Sequence, residues 1–150
     1  MLKKFCYLFM LLGIVSCGKS EDEQLQEDIK IIEQYLTDNN LTAQRTASGL
    51  HYIITQEGSG VFPAATATVE VKYKGYFTDN RVFDETTGNQ TIEFRLNRVI
   101  KGWTEGLQLF KKGGKGTLLI PSKLGYANNP PSGIPNNAVL LFDIELVDIK

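Results

Sequence analysis

Regular alternation of apolar and polar residues is the feature that most constrains this fold. Val69, Val71 and Tyr73 are each followed by a charged residue, and a similar alternation returns along residues 140–146. A period of two places alternate side chains on one face, which predicts half-buried antiparallel strands. The stretches assigned to strands are residues 50–55, 69–74, 92–96, 117–120 and 139–149.

One stretch between the strands has a helical period instead. Val99, Ile100, Trp103, Leu107 and Phe110 recur at helical spacing, and a pair of glycines follows them, which predicts one compact helix with a defined end. Several antiparallel strands around one helix predict an α+β domain.

A second helix is predicted near the N-terminus. The segment Ser20 to Glu23 has the form of a capping box. Leu25, Ile29, Ile32 and Leu36 then recur every three or four residues, which predicts an amphipathic helix. Such a short helix is marginal as a dimerisation arm, so docking on the domain or a spacer role is favoured over pairing with a second copy.

The extreme N-terminus has the composition of a targeting segment. Lys3 and Lys4 precede eleven uncharged residues at 5–15, about half the length that a membrane-spanning helix requires. This pattern indicates a secretory signal peptide. The run ends in Ile-Val-Ser-Cys at 14–17, which resembles the bacterial lipoprotein box, so cleavage would leave a lipid-modified Cys17. An ordinary signal peptide with a chance cysteine is the alternative.

Charge and composition argue against several classes of chemistry. Sixteen Lys and Arg balance seventeen Asp and Glu, which leaves no global field for nucleic acid, so no nucleic-acid partner is expected. With one histidine and two cysteines, Cys6 and Cys17, neither a metal site nor a nucleophile–histidine pair is expected. We therefore predict no metal and no cofactor, and interpret His51 as a surface or half-buried structural residue.

An aromatic excess on the inward registers is the remaining chemical signal. Such side chains are usually core residues, but together they could line an apolar cleft rimmed by tyrosine hydroxyls and one carboxylate. The six residues are Tyr73, Phe83, Phe94, Trp103, Tyr126 and Phe142.

Five blocks of sequence, in order, resemble the FKBP-type peptidyl-prolyl cis–trans isomerases over about residues 48–150. The blocks are V-K-Y-K-G-Y at 71–76, V-F-D at 82–84, V-I-K-G-W-T-E-G-L at 99–107, L-G-Y at 124–126 and I-P-N-N-A-V-L-L-F-D-I-E-L at 134–146. The resemblance implies an FKBP-like fold, a twisted antiparallel β-sheet wrapped around one short α-helix. It also implies that a proline ring binds between the sheet and this helix.

The resemblance also implies a role for each matching residue. Trp103 would form the floor of the cleft, Asp84 and Tyr126 its polar rim, and the Ile100 backbone N–H would donate to a substrate carbonyl. Ile134, in the long loop, would cover one side. The remaining expected wall and contact residues are Tyr73, Phe83, Val99, Phe142 and Ile92, the last at a position where many members carry an aromatic wall. No arginine lies between Asp84 and Ile92 to orient the carboxylate, as some members have.

These observations predict three segments and one function. Residues 1–16 would be the signal peptide, 17–47 the lipidated cysteine, acidic tether and N-terminal helix, and 48–150 the isomerase domain. The resemblance implies a rotamase that assists folding of cell-envelope proteins. Its expected partners are proline-containing polypeptides, the lipid membrane through acylated Cys17, and macrolide-type inhibitors of the family. The chain is expected to be monomeric and held at the envelope, with the outer membrane favoured. A non-catalytic module that binds proline segments and an accessory lipoprotein of an envelope machine are the alternatives.

Overall fold

The computed structural model describes residues 19–150, so the predicted signal peptide and Cys17 lie outside the described part. Seven strands form one antiparallel sheet in the order β1-β2-β6-β7-β3-β4, with β5 also paired to β3. The strands are β1 Gln44–Arg45, β2 His51–Gln56, β3 Thr68–Tyr76, β4 Val82–Glu85, β5 Ile92–Arg95, β6 Lys115–Ile120 and β7 Leu140–Ile149. The predicted α+β fold class is confirmed.

The central strand β3 has two different neighbours on its outer side. Its first half pairs with β5, from Thr68 opposite Arg95 to Val71 opposite Ile92. Its second half pairs with β4, where Gly75 lies opposite Asp84. Strand β3 therefore places an aromatic ring of β5, that of Phe94, and the carboxylate of β4, that of Asp84, on the same side of the sheet.

The short helix is shorter than its periodicity predicted. Helix α1 is Glu21–Asp38, and the helix of the isomerase-like region, α2, is Lys101–Gly106 followed by a 3₁₀ turn. Gly102 and Gly106 explain how closely it packs, since an added Cβ would lie 2.5 Å from side-chain atoms of Ile120 and Leu118 respectively. The apolar residues at 99–100 and 110 share its face but lie outside its regular turns.

Helix α1 docks on the opposite face of the sheet from α2. The predicted capping box is present, with Ser20 and Glu23 satisfying each other's backbone N–H groups. Ile32 is fully buried in a second apolar cluster that includes Leu119 and Leu141 of the sheet. Of the roles considered for this helix, the structure therefore shows docking on the domain.

A buried carboxylate reinforces this docking. Asp28 is fully buried and accepts hydrogen bonds from the Ser122 backbone N–H at 2.7 Å and hydroxyl at 2.5 Å. Gln24 donates to its other oxygen at 2.8 Å. Ser122 begins the 3₁₀ turn Ser122–Leu124 that leads to Tyr126, so α1 is tied to the segment that carries one of the predicted rim residues.

One sequence expectation needs correction here. His51 is 4% exposed, neither superficial nor half-buried, because it points to the face that α1 covers, and its ring forms a hydrogen bond with the Gly49 carbonyl at 2.9 Å. The two-residue strand β1 pairs with β2 at the edge of the sheet. Within residues 19–150, no helix has the length and apolar character that a bilayer crossing requires.

Candidate functional site

An open cleft of about 480 Å³ lies between α2 and the sheet, within the range of about 300–1,000 Å³ that is usual for ligand pockets. Four strands, the start of α2 and the loop after the Ser122 turn all contribute to it. Its lining residues are Tyr73, Phe83, Asp84, Phe94, Arg98, Val99, Ile100, Trp103, Tyr126 and Phe142.

The floor of the cleft is an indole surrounded by three aromatic rings. Trp103 is 4% exposed, and its centroid lies 5.1 Å from that of Tyr73 and 5.2 Å from those of Phe94 and Phe142. All three contacts are edge-to-face, a preferred geometry for aromatic pairs. Mutual packing therefore fixes the floor before any ligand arrives.

The indole N–H lacks a partner. Nε1 of Trp103 is buried and has no hydrogen-bond acceptor among residues 19–150. A buried donor left without a partner costs stability and calls for an explanation such as a functional role or a bound water. The floor is thus an apolar ring whose one polar atom is enclosed by the surrounding residues.

The polar rim is organised by a short hydrogen bond. The Tyr73 hydroxyl donates to the Asp84 carboxylate at 2.5 Å. Burial raises the pKa of Tyr73 above its ordinary value, and the hydrogen bond to Asp84 raises it further, so the phenol stays protonated and keeps donating. Tyr73 thus orients the Asp84 carboxylate at the rim.

Gly75 allows two aromatic rings, those of Phe83 and Phe142, to pack directly against β3 and form one wall of the cleft. A Cβ there would lie 2.7 Å from the Phe83 ring and 2.9 Å from the Phe142 ring. These two rings pack edge-to-face at 5.5 Å. The wall opposite α2 therefore depends on the missing side chain of Gly75, near the end of β3.

A backbone donor lies at the other side of the cleft. Ile100 is the N-cap residue of α2, and its N–H takes part in none of the backbone hydrogen bonds found between residues 19–150 outside regular elements. Donors at the start of a helix have no partner within the helix. This N–H is therefore available to a carbonyl oxygen bound over the indole.

The structure brings most of the expected site residues together and leaves two outside the cleft. Those that line it are Tyr73, Phe83, Asp84, Val99, Ile100, Trp103, Tyr126 and Phe142. Ile134 lines an adjoining hollow of about 410 Å³ that shares Phe83, Asp84 and Tyr126 with the cleft.

The assignment of Ile92 to the cleft needs correction. Ile92 is 39% exposed and does not line the cleft, whereas Phe94 does and packs on the indole. The two side chains share a face of β5, but Ile92 lies about 7 Å further along the strand from α2. The inward aromatic register in the sequence already pointed to Phe94.

Arg98 is a lining residue that sequence reasoning missed. It lies directly before Val99 and Ile100 and is exposed at the rim. Its position next to two assigned lining residues was the available signal. No group of three or more His, Cys, Asp or Glu side chains within residues 19–150 is arranged to hold a metal ion.

Comparison with known proteins gives the same assignment. The model of the FKBP-type peptidyl-prolyl cis-trans isomerase family matches residues 60–147. The FKBP-type isomerase FkpA of Escherichia coli strain K12 is 45% identical over 106 residues, which cover 70% of this chain and 39% of that protein. FkpA of Aeromonas hydrophila is 42% identical over 132 residues, covering 86% of this chain and 49% of that protein. The chain thus spans less than half the length of these curated relatives.

Solved structures share the fold. The crystal structure of Escherichia coli FkpA superposes with a TM-score of 0.75 at 39% identity, covering 87% of this chain and 62% of that one. A peptidyl-prolyl cis-trans isomerase from Pseudomonas syringae pv. tomato gives 0.74 at 30% identity, covering 89% and 98%. The chain belongs to the FKBP-type peptidyl-prolyl cis-trans isomerase family, as the sequence motifs predicted.

Proposed function

We propose that this chain is a peptidyl-prolyl cis–trans isomerase that assists the folding of cell-envelope proteins. The observation that carries the proposal is the open cleft whose floor is Trp103 and whose edges hold one free backbone donor and one oriented carboxylate. The substrates would be polypeptide segments that contain an X–Pro bond.

Amide chemistry explains why such a cleft suits this reaction. Resonance holds the planar amide behind a barrier of about 18–20 kcal/mol, so X–Pro bonds rotate in tens to hundreds of seconds. At the twisted midpoint the resonance is lost and the amide dipole shrinks. A water-poor apolar cleft therefore disfavours the planar ground state more than the twisted state.

The residues of the cleft can each act on that rotation. The proline ring would lie on the Trp103 indole against the wall formed by Phe83 and Phe142, while the Ile100 N–H would donate to a substrate carbonyl and so position the segment. With the proline ring held, the preceding residue can rotate about the X–Pro bond, and a donor that reaches the prolyl nitrogen only in the twisted state would favour that state. Interactions that strengthen only in the twisted state lower the barrier.

The rate enhancement required is modest. A thousandfold acceleration corresponds to about 4 kcal/mol, which hydrogen bonding and desolvation can supply together. No proton transfer and no covalent intermediate are needed, and the Tyr73–Asp84 pair acts by orienting groups at the rim.

A refolding assay tests the proposal. The purified protein, at micromolar concentration, should accelerate the proline-limited phase of a denatured client protein, and a family macrolide should suppress the effect. Binding of proline peptides without any acceleration would refute catalysis and favour the non-catalytic binding module.

We also propose that the domain is held at the envelope by a lipid on Cys17. The charged and apolar run before Cys17 supports this, with residues 1–16 as signal peptide, 17–47 as anchor, tether and helix, and 48–150 as the catalytic domain. Helix α1 begins at Glu21, so the anchor would keep the domain within about 14 Å of the bilayer surface. The favoured location is the outer membrane, on its periplasmic face or at the cell surface.

Detergent-phase partitioning tests the anchor. The wild-type chain should enter the detergent phase and the Cys17→Ala variant the aqueous phase, with Cys6→Ala as the matched control that still partitions into detergent. Equal partitioning of wild type and Cys17→Ala would contradict lipidation at this residue.

A further inference from the structure

The side chains that line the cleft carry two charges of opposite sign. Asp84 lies on the β4 side, and Arg98 lies on the side where the chain enters α2. The other lining residues carry no charge. A bound peptide therefore meets a carboxylate on one edge and a guanidinium on the other.

These two charges differ in how far they are already satisfied. The Asp84 carboxylate accepts the Tyr73 hydroxyl at 2.5 Å. Arg98 is exposed and forms no ion pair with any of residues 19–150. The guanidinium is thus the charge at this cleft that a substrate could still pair.

The chain around Arg98 strengthens this positive edge. Residues 95–101 read R-L-N-R-V-I-K, with three cations and no carboxylate. Neither Arg95 nor Lys101 is ion-paired within the described chain. Among these three, Arg98 alone lines the cleft. The potential along this edge is therefore positive and uncompensated where a peptide would enter.

We infer that Arg98 is a specificity-determining residue that selects X–Pro segments with an acidic side chain next to the proline. The inference rests on the proposed function of the cleft and adds the substrate class it prefers. A guanidinium pairs well with a carboxylate because its planar donors can bind both oxygens. Because the pair would be exposed, we expect discrimination of about two- to fivefold, decreasing with added salt.

Charge exchange between enzyme and peptide tests the inference. Peptides of one sequence would carry Glu, Gln or Lys next to proline, on either side of it, and would be assayed at low ionic strength. The enzymes would be wild type, Arg98→Glu and, as matched control, Arg95→Glu, an exposed arginine that lines no part of the cleft. The measurements are kcat/KM and the peptide Kd from the fluorescence of Trp103, the single tryptophan of the chain.

The expected result is a preference that changes sign at one residue only. Wild type and Arg95→Glu should favour the Glu peptide over the Lys peptide, and Arg98→Glu should favour the Lys peptide. The same ratio in wild type and Arg98→Glu would overturn the inference, as would an equal reversal by Arg95→Glu.

The failures of the inference and of the proposed function remain distinguishable. If no peptide, including the Gln peptide, is isomerised faster than in buffer, the proposed function fails. The order of the three Kd values still decides whether Arg98 selects an acidic neighbour.

Discussion

Each face of the sheet carries an apolar cluster, yet the cluster under α1 is sealed and the cluster that faces α2 is partly open. Adjacent residues of the same strand separate the two, since Leu118 and Leu140 pack towards α2, whereas Leu119 and Leu141 pack under α1. Helix α1, 18 residues long, covers the apolar cluster on its face of the sheet with its aliphatic side chains. The six-residue α2 covers only part of the other face, and the remainder is the aromatic cleft.

The uncovered part of the α1 face shows what an ordinary exposed sheet surface looks like. There a shallow hollow of about 540 Å³ is lined mainly by polar and charged side chains. Lys115 pairs with Glu145 at 3.2 Å, and Asp143 accepts from Thr117 at 2.7 Å. The cleft, by contrast, is lined mainly by aromatic rings that are buried or half-buried and, among the described residues, have no such ion pairs around them. The cleft therefore leaves part of its apolar surface uncovered, whereas the docking of α1 buries apolar surface and stabilises the fold.

The largest effect should come from breaking the sealed face. Ile32→Ala removes a fully buried side chain and should lower the free energy of unfolding by about 2–5 kcal/mol. Ile31→Ala, at a 45% exposed neighbour on the same helix, should change it by less than about 0.5 kcal/mol. Denaturant titration measures both. Well below the melting temperature, kcat/KM should stay near wild type in both variants; a parallel loss in Ile32→Ala would show that the two faces are not separable.

A change on the open face should have the opposite result, a loss of activity with little change in stability. Asp84→Ala removes the acceptor of the Tyr73 hydroxyl and the carboxylate of the cleft rim, and should lower kcat/KM about tenfold, which corresponds to a loss of about 1.4 kcal/mol of transition-state stabilisation. Stability should hardly change because Asp84 is exposed. Ile92→Ala, on the neighbouring strand but outside the cleft, is the control. Unchanged turnover in both Asp84→Ala and Phe83→Ala would mean that the cleft is wrongly assigned.

A smaller effect concerns pH and the sealed face. Burial lowers the pKa of His51, opposed by the hydrogen bond to the Gly49 carbonyl, with Arg45 lowering it and Glu33 of α1 raising it. The unfolded chain therefore binds the proton more readily, and stability should fall as pH drops through about 6.5 and below.

The chain contains one histidine, so this titration can be assigned. Urea midpoints between pH 7.5 and 5 should decline in wild type and stay nearly flat in His51→Gln. An identical decline in the variant would place the pH dependence elsewhere.

Much of the fold was predictable because strong periodicity reports burial on one face. The alternation around Val71 and Leu146 located the two central strands, and the capping box located the start of α1. The two-residue β1 and the short β4 were missed, because neither is long enough to show a period. Helix α2 was predicted too long, since Val99 and Ile100 share its apolar face but precede its first helical residue, Lys101; Ile100 is the N-cap, whose carbonyl accepts from the Trp103 and Thr104 N–H groups.

The site was predictable where a motif fixes both residue and place. Trp103, Phe83 and Asp84 lie in contiguous blocks, so their positions followed from the resemblance. The Tyr73–Asp84 hydrogen bond did not, because it depends on the register of β3 against β4. Ile92 was placed in the cleft for a similar reason: sequence gives the face of a strand residue but not its distance from α2.

The most direct test of the account observes rotation of the X–Pro bond itself. Two-dimensional NMR exchange spectroscopy on a short Leu-Pro peptide, with substoichiometric protein, should give cross-peaks between cis and trans resonances within mixing times below about one second, although uncatalysed exchange takes tens of seconds or more. The Asp84→Ala variant should weaken them. A peptide that changes the Trp103 fluorescence, and is therefore bound, but shows no exchange cross-peaks with the wild-type protein would contradict the account.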